Sequence, residues 1–140
     1  MPTALPSGTV TFLFTDIQGS TQRWEHSPDA MRAALERHDV LLRSAIESHD
    51  GCVFMTVGDA FCAAFPTADG GVKAALEAQR AVTAEDWPRF GEGFTPVLVR
   101  MGLHTGAAHE RGGDYFGPPV NRCARLEAAA RAALQATALA

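Results

Sequence analysis

Lysine is nearly absent, and the basic residues form no cluster: 12 Lys and Arg stand against 16 Asp and Glu, a formal net charge of −4 over 140 residues. General binding to the phosphates of a nucleic-acid polymer is therefore not expected. Cysteine is scarce as well. Cys52, Cys62 and Cys123 are odd in number and lack CxxC spacing, which suggests neither a disulfide framework nor a zinc site. Buried, reduced thiols are expected. No apolar run is long enough to span a bilayer, and Met1–Ser7 lacks the charged-then-apolar layout of a secretory leader. The expected location is cytoplasmic, with no membrane segment in this chain. Repeats, linkers and low-complexity stretches are missing too, apart from the Ala-rich tail LEAAARAALQATALA. What is present, 46% hydrophobic and 20% charged residues, is ordinary for a globular domain with a real core. A single domain over 1–140 is expected.

Gly8–Thr21, GTVTFLFTDIQGST, is the stretch around which the chain is organised. Val10, Phe12 and Phe14 alternate with Thr9, Thr11 and Leu13, the pattern of a largely buried strand. Asp16 sits at its end, followed by the small residues Gly19, Ser20 and Thr21, which allow a sharp turn and a helix start. Two readings stand open for Asp16. It caps a turn, or it holds Mg²⁺ or Mn²⁺ on a polyphosphate whose oxygens the following amides receive.

Ser27-Pro28-Asp29 signals a helix start, and Met31, Leu35, His38, Leu42, Ala45 and Ile46 recur on one face, with Gly51 as terminator. His38 and His49, without a second ligand nearby, read as packing or surface residues. Cys52–Val57 and Ala60–Phe65 flank Gly58-Asp59, a strong hairpin signal that puts a second acid at a strand end. Thr67 caps a helix over Ala68–Val82 with Val72, Ala75, Leu76 and Gln79 as its inward stripe. Thr83–Thr95 is a long loop pinned by Trp87 and Phe90. Val97–Thr105 reads as a strand and Gly106–Glu110 as its partner across a tight bend. Arg111-Gly112-Gly113 makes a further hairpin turn, and a last helix runs from about Val120 to the chain end. The order implies an α+β class with a ferredoxin-like βαββαβ core, one antiparallel sheet covered by helices.

FTDIQGST around Asp16, VGDAFCAAF around Asp59, and GDYFGPPVNRCARL across Asp114, Asn121 and Arg125 resemble the three signatures of the class III nucleotidyl cyclase catalytic domain, in their usual order over roughly Gly8–Leu126. The resemblance implies a head-to-tail dimer, a homodimer or a pairing with a related cyclase domain, whose active sites draw on both chains. Asp16 and Asp59, with the Ile17 carbonyl, would hold two Mg²⁺ or Mn²⁺ ions per site. Gly19, Ser20 and Thr21 would receive phosphate oxygens of ATP. Asn121 of the other chain would orient the ribose, and Arg125 would stabilise charge developing on the α-phosphate. Asp114 matches the acid that reads adenine in adenylyl members. The implied activity is conversion of ATP to cyclic AMP and pyrophosphate.

Two departures point to weak activity. Met55 stands where adenylyl members carry a Lys and guanylyl members an acid. It cannot donate a hydrogen bond to a ring nitrogen, so the choice between ATP and GTP is weakened, at a cost of about 1 to 3 kcal/mol. The family also continues into further strands with another phosphate-binding Lys, which this sequence lacks. A catalytically inactive nucleotide-binding or dimerisation module of the same fold is the alternative. A different two-metal phosphoryl-transfer enzyme would explain the acids but not the Asp114–Arg125 block.

Overall fold

In the computed structural model, residues 5–118, 120, 121, 123–125 and 128 are described. The alternating run becomes β1 (Gly8–Ile17), followed by α1 (Ser20–His26), α2 (Pro28–Ser48), β2 (Cys52–Val57), β3 (Ala60–Phe65), α3 (Ala68–Ala84), β4 (Val99–Arg111) and β5 (Asp114–Phe116). The strands form one sheet in the order β2-β3-β1-β4-β5, with every neighbouring pair antiparallel. This is the expected α+β, ferredoxin-like arrangement. β1 is central, flanked on both sides, and its residues from Val10 onward are buried or nearly so.

The pleat of β1 divides the core. Leu13 and Ile17 face α2 and α3 in the larger cluster, where Met31, Leu42, Phe61 and Phe65 join them. Val10 and Phe12 face the other way, in a second cluster with Ala64, Tyr115 and Cys123. On that second face Phe12 meets Tyr115 edge-on at 5.0 Å and Phe54 meets Tyr115 at 4.9 Å. Such pairs add about 0.5 to 1.5 kcal/mol each beyond area burial.

The α2 face follows the expected periodicity, except that Ala34 is buried where Leu35 is only partly so. His38 is a packing residue, fully buried and edge-on to Phe61 at 5.6 Å. The Ser27 side chain makes no cap hydrogen bond, so the start of α2 rests on Pro28 at its first turn and on Asp29 near the positive helix end. Its end differs from expectation. Asp50 takes the left-handed turn, with φ 64°, and Gly51 is there for space: a Cβ would lie 2.3 Å from the Phe65 ring.

In α3 the Thr67 hydroxyl accepts a hydrogen bond from the Gly70 amide at 3.0 Å, a cap worth roughly 1 kcal/mol. The expected stripe is displaced, however. Val72 and Leu76 are about half exposed, and Gly70, Gly71, Ala74, Ala78 and Val82 face inward instead. The reason is close approach to the sheet, since a Cβ on Gly71 would lie 2.8 Å from the Thr11 methyl. Trp87 does pin the loop, buried and donating its indole N–H to the Val82 carbonyl at 2.8 Å.

The expected break between Gly106 and its predecessors is not found. β4 runs unbroken from Val99 to Arg111, because the ladder with β1 continues through Thr105, Gly106 and Ala107 to Ala108 opposite Gly8. The Gly112-Gly113 turn to β5 holds, both residues having positive φ. Residues 118, 120, 121, 123–125 and 128 are helical; the rest of the expected last helix lies outside the described residues. Cys123 is buried, whereas Cys52 and Cys62 are only half-buried.

Tyr115 donates its hydroxyl to the Pro6 carbonyl at 2.6 Å. Burial first, then Cys52 and Glu110, push its phenol from 10.0 up to about 12. The unfolded chain gives up this proton first, so the contribution of Tyr115 is complete below about pH 10 and lost as pH rises towards about 12. Tyr115→Phe should flatten the alkaline decline of unfolding free energy measured in urea. An unchanged slope would assign that decline to other groups.

Candidate functional site

Asp16 and Arg100 are directly opposed across the β1–β4 ladder. Asp16 follows the pleat of Phe12 and Phe14, so it lies on the face away from α2 and α3, and so does Arg100. The guanidinium meets the carboxylate with both forks: Arg100 Nε donates to Asp16 Oδ1 at 2.7 Å and Nη2 to Oδ2 at 2.8 Å. The two residues are each 7% exposed. Such a pair stays favourable when buried because the planar fork satisfies both oxygens at once.

Asp59 reaches the same place from the β2–β3 hairpin. Gly58 supplies the positive φ of 57° that the tight turn needs, and Asp59 follows it at the tip. Its Oδ2 accepts a hydrogen bond from the Ile17 amide at 2.6 Å. The neighbour of Asp16 on β1 thus fixes the second acid, across a separation of 42 residues in sequence. Asp16, Asp59 and Arg100 line one cleft of about 670 Å³ with Gly19, Ser20 and Thr21. A second cleft of about 380 Å³ lies behind α1, between Arg23 and Phe94; no carboxylate lines it.

Two carboxylates against one guanidinium leave this cleft with excess negative charge and hard oxygen donors. Among the described residues no group of three or more His, Cys, Asp or Glu could hold a metal ion. Two carboxylates are a donor set of the kind Mg²⁺ or Mn²⁺ accepts, with water and substrate oxygens filling the remaining positions. It does not fit a closed protein cage such as structural zinc needs.

The other expected residues lie elsewhere. β2 and β3 slip register between Val53 and Met55: Val53 pairs with Ala63 and Met55 with Cys62, leaving Phe54 as the extra residue of a bulge. A bulge re-aims the following side chain, and it brings Met55 to the face that carries Asp16, 38% exposed. Asp114 opens β5, its Oδ1 accepting from the Tyr115 amide at 2.7 Å. Phe54 and Tyr115, the chain neighbours of Met55 and Asp114, meet edge-on at 4.9 Å.

Cys123 anchors the last helix to the same face, its thiol donating to the carbonyls of Gly102 at 3.2 Å and Phe12 at 3.5 Å. Asn121 and Arg125 stand two positions either side of Cys123, and residues so spaced point away from it. Both are exposed. None of Met55, Asp114, Asn121 and Arg125 is among the described residues lining the Asp16–Asp59 cleft. The acidic cleft and the solvent-exposed Asn121 and Arg125 thus lie apart on the chain.

Arg100 is the cleft residue that sequence reasoning missed. Its signal was present in the alternation of Val99, Met101 and Leu103, which assigns Arg100 to the opposite face; what was not visible was that Asp16 would be its cross-strand neighbour.

Residues 3–135 match the adenylate and guanylate cyclase catalytic domain, and the chain belongs to that family. It is 34% identical over 146 residues to an adenylate cyclase of Podospora anserina, covering 89% of this chain but 7% of that protein. It is 38% identical over 123 residues to an uncharacterized protein of Mycobacterium tuberculosis, covering 86% of this chain and 39% of that one. The chain therefore spans less than half of either relative. Among solved structures, it resembles an adenylate cyclase from Trypanosoma brucei studied in the monomeric state, with a TM-score of 0.76 and 29% identity, covering 87% of this chain and 68% of that one. An adenylate/guanylate cyclase/hydrolase from Silicibacter pomeroyi gives 0.71 and 28%, covering 86% and 69%.

Proposed function

We propose that this cyclase domain converts ATP to cyclic AMP and pyrophosphate in sites shared between two head-to-tail chains. The observation that carries the reading is the separation of the half-sites. Asp16 and Asp59 meet in one cleft, while Asn121 and Arg125 point to solvent from the outer side of the last helix. A second chain supplies what each cleft lacks, and the exposed Met55 and Val57 give that chain an apolar surface to cover.

Asp16, Asp59 and the Ile17 carbonyl would hold two divalent cations. When bound, these supply Lewis-acid stabilisation of the attacking ribose 3′-oxygen and of the leaving pyrophosphate. The work of the protein is positioning. Asp59, fixed by the Ile17 amide, keeps one carboxylate in place without a conformational search. Gly19, Ser20 and Thr21 line the cleft where the triphosphate would lie. The partner's Asn121 orients the ribose, and the partner's Arg125 meets the negative charge that builds on the α-phosphate, an electrostatic role that counts most where water is excluded. Asp114 accepts from the adenine amino group, and Met55 gives the base an apolar contact in place of a hydrogen bond.

Met55→Lys tests base recognition. The bulge already aims position 55 at this face, so a Lys there should raise kcat/KM for ATP by about 5- to 100-fold, the value of one recovered hydrogen bond. No gain would put the limiting defect elsewhere in the site. The alternative of a non-catalytic module draws on Met55 as well, and cyclic nucleotide assays of the purified chain separate the two.

A further inference from the structure

Asp16 and Asp59 enter the acidic cleft on different terms. Asp59 is fixed by a neutral amide donor, which neither cancels its charge nor opposes an arriving cation. Asp16 is fixed by a guanidinium that takes both of its oxygens, at 2.7 and 2.8 Å, with the side chains 7% and 10% exposed. Arg100 carries a positive charge on a planar fork. It also lines the cleft itself, so that charge stands beside any cation drawn to Asp16. Each Asp16 oxygen already spends acceptor capacity on an N–H, and repulsion between two cations at contact distance is large where water is scarce.

We propose that Arg100 is a built-in competitor of the divalent cation for Asp16. Asp59 offers the first anchor, and full metal loading draws Asp16 out of its bidentate pairing with Arg100. Arg100 thereby sets the metal concentration at which the cleft fills and prevents two carboxylates from facing each other uncompensated when it is empty. This inference rests on the two-metal reading above.

The test is Mn²⁺ binding to the full chain without nucleotide, read from the free-ion signal in electron paramagnetic resonance. Arg100→Gln should bind Mn²⁺ at least about tenfold more tightly than wild type, because a repelling charge has been removed. Arg100→Lys keeps the charge but loses the fork and should fall between them. Mn²⁺ should also raise the melting temperature of Arg100→Gln by more than that of wild type, since the variant's metal-free state leaves Asp16 unpaired. Equal or weaker binding by a folded Arg100→Gln would overturn the proposal. If that variant does not fold, Arg100→Lys decides, and affinity no higher than wild type overturns it. A measurement on the wild type stands apart from both: the Arg100 Nε–H resonance should move as Mg²⁺ saturates, and a fixed resonance contradicts release. The two-metal reading fails separately, if neither wild type nor Arg100→Gln binds Mn²⁺, or if Asp59→Asn leaves binding unchanged. Asp59-dependent binding with no effect of Arg100→Gln defeats the Arg100 proposal alone.

Discussion

Mixing two inactive variants, Asp59→Asn and Arg125→Ala, should restore about a quarter of wild-type cyclic AMP formation. Random re-pairing makes half the dimers mixed, and each mixed dimer carries one site with both substitutions and one with neither. Each variant alone should fall by about a hundredfold or more, the loss seen when a group that stabilises transition-state charge is removed. Asp59 is a better choice than Asp16 for this experiment because its removal frees only a neutral amide, that of Ile17. Arg125 is exposed on its helix, where substitution changes stability by about 0.5 kcal/mol or less. Mixed dimers that are shown to form, by co-purification of differently tagged chains, and that recover nothing would contradict a site shared between chains.

Asp16→Ala and Asp16→Asn should part company. Both should abolish turnover, since neither leaves a carboxylate at position 16 to hold the second metal. Asp16→Ala also strands the Arg100 guanidinium in a buried position, and breaking a buried pair from one side costs about 3 to 5 kcal/mol. For a domain of this size that is a fall in melting temperature of roughly 6 to 20 °C. Asp16→Asn keeps an oxygen acceptor for one fork of Arg100 and should lose distinctly less. Thermal unfolding of the two metal-free variants checks this. Equal melting temperatures would mean that the ion pair contributes little to the fold.

Local signals were legible in the sequence, and long-range ones were not. The Gly58-Asp59 hairpin delimits β2 and β3 at the residues the turn chemistry implies, and Pro28 and Thr67 mark where α2 and α3 begin. Apolar size alone points to the wrong inward face of α3. Close helix-to-sheet contact selects small residues, and Gly71, Ala74 and Ala78 win the core over Val72 and Leu76. Gly106 looked like a bend, but its pairing opposite Val10 keeps β4 straight through it. The three motifs pointed to the acids and to the Asn–Arg helix. The Asp16–Arg100 pair spans 84 residues in sequence, and the bulge at Phe54 depends on the register with β3. Neither follows from any local window.

Formation of cyclic AMP by the purified chain, with Mn²⁺ and ATP and then GTP, beside an Asp59→Ala control, tests the central claim most directly. The account predicts product from ATP that is lost in the control. No product from either nucleotide, from protein shown to be folded and dimeric, would contradict it and leave a non-catalytic module of the cyclase fold.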